Sequence, residues 1–308
     1  MSRLKKRKLL VVFVGVFFCL ILSVAVRVNA SSSMRFYMRH DCSDADSTSY
    51  DLYALYTLPG LSNYSSPRTI IGNNDFKRDA NQSIVSIGYN GSGTIVGDHV
   101  IATCAHCVIN KATGEFYSPN IYIIGNGNTP ITTISPRYIH VCRSYLNGGE
   151  NYDYKFDYAM IYVEEDLSDY KLDLGMIRDG YQGTVYVSGF PTTYPSGAPS
   201  GYGYRFKSAG TIDWSATHND ANGLTLWHTA DSDGGVSGGP LFIRENISTG
   251  AIDSTYANVD DTDNIINQDD NYNISIIGIH FCGGNGNNGS IKITEDLLHF
   301  YLNNNFVY

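Results

Sequence analysis

The chain has 308 residues, 43% of them hydrophobic and 17% charged, which is enough apolar material for a sizeable core in one or two domains. A net charge of −9 and an isoelectric point near 5.2 argue against nucleic acid as a partner, because phosphate backbones are held by basic patches. Abundant Tyr (24) and Gly (31), with many short β-branched runs, favour an all-β protein rich in turns.

At the N-terminus, Arg3, Lys5, Lys6, Arg7 and Lys8 precede an apolar run from Leu9 to Val26 and the small-residue exit Val28-Asn29-Ala30. This is the pattern of a secretory signal peptide over residues 1–30, so the protein is expected to be secreted and extracellular. The apolar run is also just long enough to span a bilayer. An uncleaved anchor at the cell surface is therefore the alternative, and a membrane is an expected partner only in that case. Residues 31–68 are polar, with few regular patterns, and end in Ser65-Ser66-Pro67-Arg68. They read as a pro-segment cut near Arg68–Thr69, leaving 69–308 as the mature domain; a flexible arm is the plainer alternative.

Between about 83 and 165 come short runs separated by turns: Ile84–Tyr89, Gly93–Val96, His99–Thr103, Ile121–Ile124, Ile131–Ile134 and Tyr158–Val163. That spacing predicts a six-stranded antiparallel barrel. Residues 166–182 are a polar connection. A second six-stranded barrel is expected over about 183–293, from Gly183–Gly189, Tyr204–Thr211, Leu224–Thr229, Gly239–Ile243, Ile274–His280 and Ser290–Ile293. An insertion from Glu245 to Asp270 holds seven acidic residues and no Lys or Arg, and reads as a solvated loop. At the end, Thr294 can cap a short helix over about 294–303, with Leu297, Leu298, Tyr301 and Leu302 as its apolar stripe.

Of the six cysteines, Cys19 lies in the signal segment and Cys42 before the mature start. Cys104, Cys107, Cys142 and Cys282 remain. Export permits disulfide bonds, and four cysteines allow three pairings that sequence does not resolve. No metal is expected at Cys104-x-x-Cys107, because no second such pair exists. No cofactor is expected either.

The chemistry concentrates in Asp231-Ser232-Asp233-Gly234-Gly235-Val236-Ser237-Gly238-Gly239-Pro240. A serine on a glycine-rich bend suits a nucleophile, and N–H groups of Gly235 and Ser237 can converge there on an oxyanion. A serine hydroxyl is a weak nucleophile alone and requires a base and a group to orient it. His106, at the end of the apolar run Val100–Thr103 and its small-residue turn, is the candidate base. Asp157, at the mouth of Tyr158–Val163, is the candidate orienting carboxylate, with Asp153 as competitor. The order His, Asp, Ser is that of chymotrypsin-like proteases.

Taken together, these segments resemble the chymotrypsin-fold serine proteases, and more narrowly the bacterial glutamyl endopeptidases. Thr103-Cys104-Ala105-His106-Cys107, Asp157-Tyr158-Ala159 and Gly235-Val236-Ser237-Gly238-Gly239-Pro240 match in order, as do Ile276–His280 and Ile70–Asp75, over roughly residues 69–303. The resemblance implies two chymotrypsin-like barrels with the cleft between them and a Ser237-His106-Asp157 triad. It also implies a zymogen acting as a monomer on protein or peptide substrates. Ser232 and His280 would line a pocket for Glu or Asp side chains, with the freed amino terminus at Thr69 helping to receive them. Trypsin-type activation uses an aspartate immediately before the serine, and Val236 stands there instead. In many relatives the cysteine after the histidine pairs with one in the preceding strand, but Tyr89–Val96 has none. Asp231, six residues before Ser237, stands where trypsin-like enzymes carry the aspartate that selects Lys or Arg. Cleavage after Lys or Arg is thus the first alternative, and a non-catalytic homologue that binds a partner is the second.

Overall fold

Two antiparallel sheets carry most of the regular structure of the computed structural model, which describes residues 34–41, 51–56, 76–88, 91–117, 119–125, 130–147, 154–191, 204–220, 223–258, 271–284 and 287–302. In chain order, β1 (Met34–Asp41) and β2 (Asp51–Tyr56) form a hairpin, and β3 (Lys77–Arg78) is a short edge strand. Then come β4 (Ile84–Ile87), β5 (Gly91–Gly97), β6 (Val100–Thr103), β7 (Ile121–Ile124), β8 (Pro130–Ile134), β9 (Tyr138–Cys142) and β10 (Ala159–Tyr162). The second half holds β11 (Asp173–Leu174), β12 (Val185–Gly189), β13 (Phe206–Gly210), β14 (Thr225–His228), β15 (Pro240–Asn246), β16 (Tyr272–Gly284) and β17 (Asn287–Lys292). Among the described residues three α-helices accompany them: α1 (Arg143–Asn147), α2 (Trp214–Asn219) and α3 (Glu295–Leu302).

The first sheet runs β2-β1-β9-β10-β6-β5-β4-β7-β8 and the second β14-β17-β16-β15-β12-β13-β3, with β11 parallel to β16. The fold is all-β and chymotrypsin-like, and each of the twelve expected strands lies on a strand of these sheets. The first sheet adds β9, which follows β8 after three residues, and the hairpin β1–β2, whose first strand pairs with β9 from Tyr37↔Cys142 to Asp41↔Tyr138. Part of the segment read as irregular is therefore sheet. Met34–Asp41 and Asp51–Tyr56 show no strict alternation, and the pairing with β9 is made by backbone groups on the edge of a strand distant in the chain. The signal segment, Thr69 and Ile70–Asp75 lie outside the described residues.

Strands β4 to β7, β9 and β10 bury side chains on both faces, with Val85, Ile95, Ile101, Ile121, Ile139 and Ile161 packed into one core, whereas β8 is largely exposed. Val185, Val187, Leu226, Val236 and Leu241 form a smaller core in the second half. The acidic insertion is not wholly solvated. Asp253 is buried in an ion pair with Arg244, and the Tyr256 ring lies between Lys207 Nζ, 3.6 Å from its centroid, and Arg244 Cζ at 4.7 Å. A carboxylate can be buried when it is paired, and the charge count along the loop does not reveal that partner. Residues 259–270, including Asp260–Asn264, lie outside the described residues.

Thr294 caps α3 as expected, its Oγ1 accepting from Leu297 N at 3.4 Å. The buried stripe is Leu297, Phe300 and Tyr301, whereas Leu302 is exposed.

Candidate active site

Antiparallel pairing of β6 with β10 sets Thr103 opposite Ala159. The chain that leaves β6 and the chain that enters β10 therefore meet at one end of the sheet. His106 stands three residues after Thr103, in a single 3-10 turn (Ala105–Cys107), and Asp157 stands two before Ala159. Asp157 is fully buried and accepts twice from His106: Oδ1 from the backbone N–H at 2.9 Å, and Oδ2 from the ring Nδ1 at 2.6 Å. The second bond fixes the orientation of the imidazole and leaves Nε2 as its outer nitrogen. Burial works to lower the His106 pKa, but attraction to Asp157, with a contribution from Cys107, outweighs it and raises the value from 6.5 to about 10. Asp153, the competing carboxylate, lies outside the described residues.

Ser237 arrives from the other sheet, on the turn that enters β15. Two backbone bonds fasten this turn: Ser92 N donates to Ser237 O at 2.7 Å, and Gly238 N donates to His280 O at 2.7 Å. The Cys107 thiol also reaches Ser237 O, at 3.5 Å. Gly238 has φ +85°, and a Cβ there would collide with Ser92 O and Thr103 Oγ1 and come within 3.1 Å of Cys104 N. Only glycine lets the serine turn lie this close to the His106 turn. The Ser237 hydroxyl donates to Phe281 O at 3.2 Å, while His106 Nε2 is buried without a hydrogen-bond partner. The His–Asp link is thus made, and the Ser–His link is not made in this state.

Gly235, at φ +89°, lies in the same turn. Its carbonyl accepts from Ser92 Oγ at 2.7 Å, and that same oxygen accepts from Phe190 N at 2.9 Å. Ser92 thereby anchors the turn from the first sheet. Sequence reasoning missed it, because a serine beside two glycines in β5 looks like an ordinary strand residue.

Ser232 and His280 come together, with Ser232 Oγ 2.5 Å from His280 Nε2 and both side chains buried. Behind them is a second histidine that sequence reasoning also missed. The His228 ring lies 5.5 Å from the His280 ring, and its Nε2 is 3.1 Å from Ser290 Oγ. Register explains the grouping, since His228 on β14 faces Asn288 on β17 while Ser290 on β17 faces His280 on β16. Burial pushes the His228 pKa down from 6.5 to about 3, so this ring is neutral at physiological pH. Asp231 is also buried, its backbone N–H donating to Ser208 Oγ at 2.9 Å.

No disulfide joins Cys104, Cys107, Cys142 and Cys282 to one another. The expected disulfide is therefore absent from the described part. The reason at Cys107 is visible. Gly91 faces it across β5, and a Cβ at Gly91 would lie 2.7 Å from Cys107 Sγ, so glycine occupies the position a partner cysteine would need. No helix among the described residues is long and apolar enough to cross a membrane.

Comparison with known proteins matches residues 91–250 to the family described as trypsin-like peptidase domain. A glutamyl endopeptidase of Bacillus licheniformis is 25% identical over 199 residues, which take in 59% of this chain and 57% of the relative. The match thus spans little more than half the length of that curated relative. A solved structure of a Glu endopeptidase in complex with MPD superposes with a TM-score of 0.55 at 18% identity, covering 75% of this chain and 97% of that one. This likeness concerns the fold.

Proposed function

The chain belongs to the trypsin-like peptidase domain family, and from that premise we propose that it is a secreted serine endopeptidase cutting after Glu or Asp. The observation that carries the reading is the doubly bonded His106–Asp157 pair lying against the Ser237 turn. In the proposed cycle the Ser237 hydroxyl turns from Phe281 O toward His106 Nε2, whose hydrogen-bonding capacity is unused. Such bonds commonly tighten only when substrate is bound. His106 takes the proton as Ser237 attacks the peptide carbonyl, and N–H groups of Gly235 and Ser237 receive the oxyanion. His106 then protonates the leaving amine, and water hydrolyses the acyl-enzyme.

The preference for acidic side chains rests on Ser232 and His280, a hydroxyl and an imidazole that can both donate to a carboxylate. The curated relative bears the name glutamyl endopeptidase, which supports the same choice. Cleavage near Arg68–Thr69 is part of this proposal, as is a role for Thr69 in the pocket.

Cleavage-site profiling by mass spectrometry tests it, using protein beginning at Thr69 and a Ser237→Ala control. New termini after Glu or Asp, absent from the control, are the expected result. Cuts after Lys or Arg would assign the pocket to Asp231. No serine-dependent cleavage would move the protein to the binding class.

A further inference from the structure

The spacing Cys104-x-x-Cys107 alone does not make a metal site, because two thiols leave a divalent ion under-coordinated. Folding changes the donor set. Cys104 precedes His106 by two residues, and the β6–β10 register brings Asp157 to the same point. One ligand atom each from Cys104, His106 and Asp157 lies within 4.8 Å of the others. Zn–S near 2.3 Å and Zn–N near 2.0 Å put tetrahedral ligand atoms roughly 3.3–3.7 Å apart, so closing the group around an ion requires shifts of about an ångström.

We propose that Cys104, His106 and Asp157 form a site for a thiophilic divalent cation, with zinc as the fitting ion, and that its occupation switches the triad off. The donor chemistry selects the ion. Thiolate with imidazole and one carboxylate suits zinc, whereas calcium and magnesium take oxygen ligands. Cys104 and Asp157 are buried, while 22% of the His106 side chain is exposed, so the imidazole is the side from which an ion enters. Binding exchanges protons for metal. The Cys104 thiol gives up its hydrogen bond to His280 O (3.0 Å) and loses its proton to solvent as the Zn–S bond forms, and the ion takes the place of the proton between His106 Nδ1 and Asp157 Oδ2. A neutral imidazole bound through Nδ1 carries its single proton on Nε2, which then has no lone pair with which to accept the Ser237 proton. Inhibition is the direct consequence.

The binding half of this inference is independent of the reaction; the inhibitory half rests on the protease reading. Cobalt(II), a spectroscopic stand-in for zinc, separates the two. Titrated into reduced wild-type and Ser237→Ala protein, it is expected to give a thiolate-to-cobalt charge-transfer band at one ion per chain. That band should disappear in Cys104→Ser and in Cys104→Ala. On peptide substrate, zinc is expected to inhibit the wild type reversibly, with chelator restoring turnover. Cys104→Ala should require at least tenfold more zinc for the same fractional loss of its own rate, and calcium and magnesium should be inert. A band that persists in both Cys104 variants, or no band in Ser237→Ala, overturns the site. A band without inhibition in an active enzyme overturns the switch, and a band in a chain that cleaves nothing overturns the protease reading while leaving the site standing.

Discussion

Asp157 is fully buried, and its nearest compensating charge is the His106 ring, so the proton between them sets how the proposed site responds to pH. With the His106 pKa raised to about 10, the ring is an imidazolium at neutral pH, and the proposed general base appears only as pH rises. The acid limb of kcat/KM is therefore expected well above the 6.5 of an ordinary histidine. Asp157→Asn should move that limb down while reducing kcat about ten-thousandfold, the loss known for this substitution in a Ser-His-Asp triad. A limb that stays put in Asp157→Asn would detach Asp157 from His106. Stability follows the same proton. A folded-state pKa raised above the unfolded one contributes stability that is fully present below about 6.5 and is lost as pH climbs through about 10. Thermal unfolding should accordingly show Tm declining across that window, with a flatter decline in His106→Gln. His106, Asp157 and Ser237 were legible in the sequence because each sits at the border of an apolar run and a small-residue turn. Ser92, His228 and Ser290 were not, because the significance of Ser92 arises from its bond to the distant Gly235 turn and that of the other two from cross-strand register, and no local pattern marks either.

Gly91 and Gly238 show how single strands and turns depend on what faces them. At Gly91 a side chain would meet Cys107 Sγ at 2.7 Å and Cys107 Cβ at 3.1 Å, close to disulfide geometry. Gly91→Cys is expected to oxidise to a bridge with Cys107. By loop-closure entropy this adds about 3 kcal/mol, read as a Tm difference between oxidised and reduced forms. An unchanged Tm with the bridge confirmed by mass spectrometry would mean that strain offsets the entropy. Gly238→Ala should act oppositely, because its left-handed φ and the collision with Ser92 O leave no room for a methyl group; soluble yield and activity are both expected to fall sharply. At this scale the twelve principal strands could be read from β-branched runs bounded by turns. Strand β9 could not: it follows Pro136 and carries His140, which is buried in the sheet and breaks the apolar pattern. The hairpin β1–β2 was equally invisible, since Met34–Asp41 and Asp51–Tyr56 show no strict alternation and the sheet partner of β1, β9, is distant in the chain.

The two halves of the molecule are tied together behind the proposed site by the chain's last described helix. α3 follows the second sheet but packs on the first, directly beside the segment that carries Asp157. The Phe300 ring meets Tyr158 edge-on at 5.3 Å, and Tyr301 OH donates to Ala159 O at 3.3 Å. Tyr158 and Ala159 are the two residues after Asp157, so the helix backs the carboxylate through its own chain neighbours. The sequence revealed an amphipathic helix with a capping Thr294, but it named Leu302 for the stripe and omitted Phe300. A helix of two turns tolerates either rotation until its docking surface is known. Phe300→Ala is expected to destabilise the protein by about 3–5 kcal/mol, because a buried aromatic is replaced by a cavity. If α3 also positions Asp157, the same variant, assayed below its melting range, should lose kcat with KM nearly unchanged. Its acid limb should shift in the same direction as that of Asp157→Asn. Lost stability with kcat and pH profile intact would make α3 a purely structural strap. A downward-shifted limb would show that the last turns of the chain reach the proton on His106 through Tyr158 and Asp157.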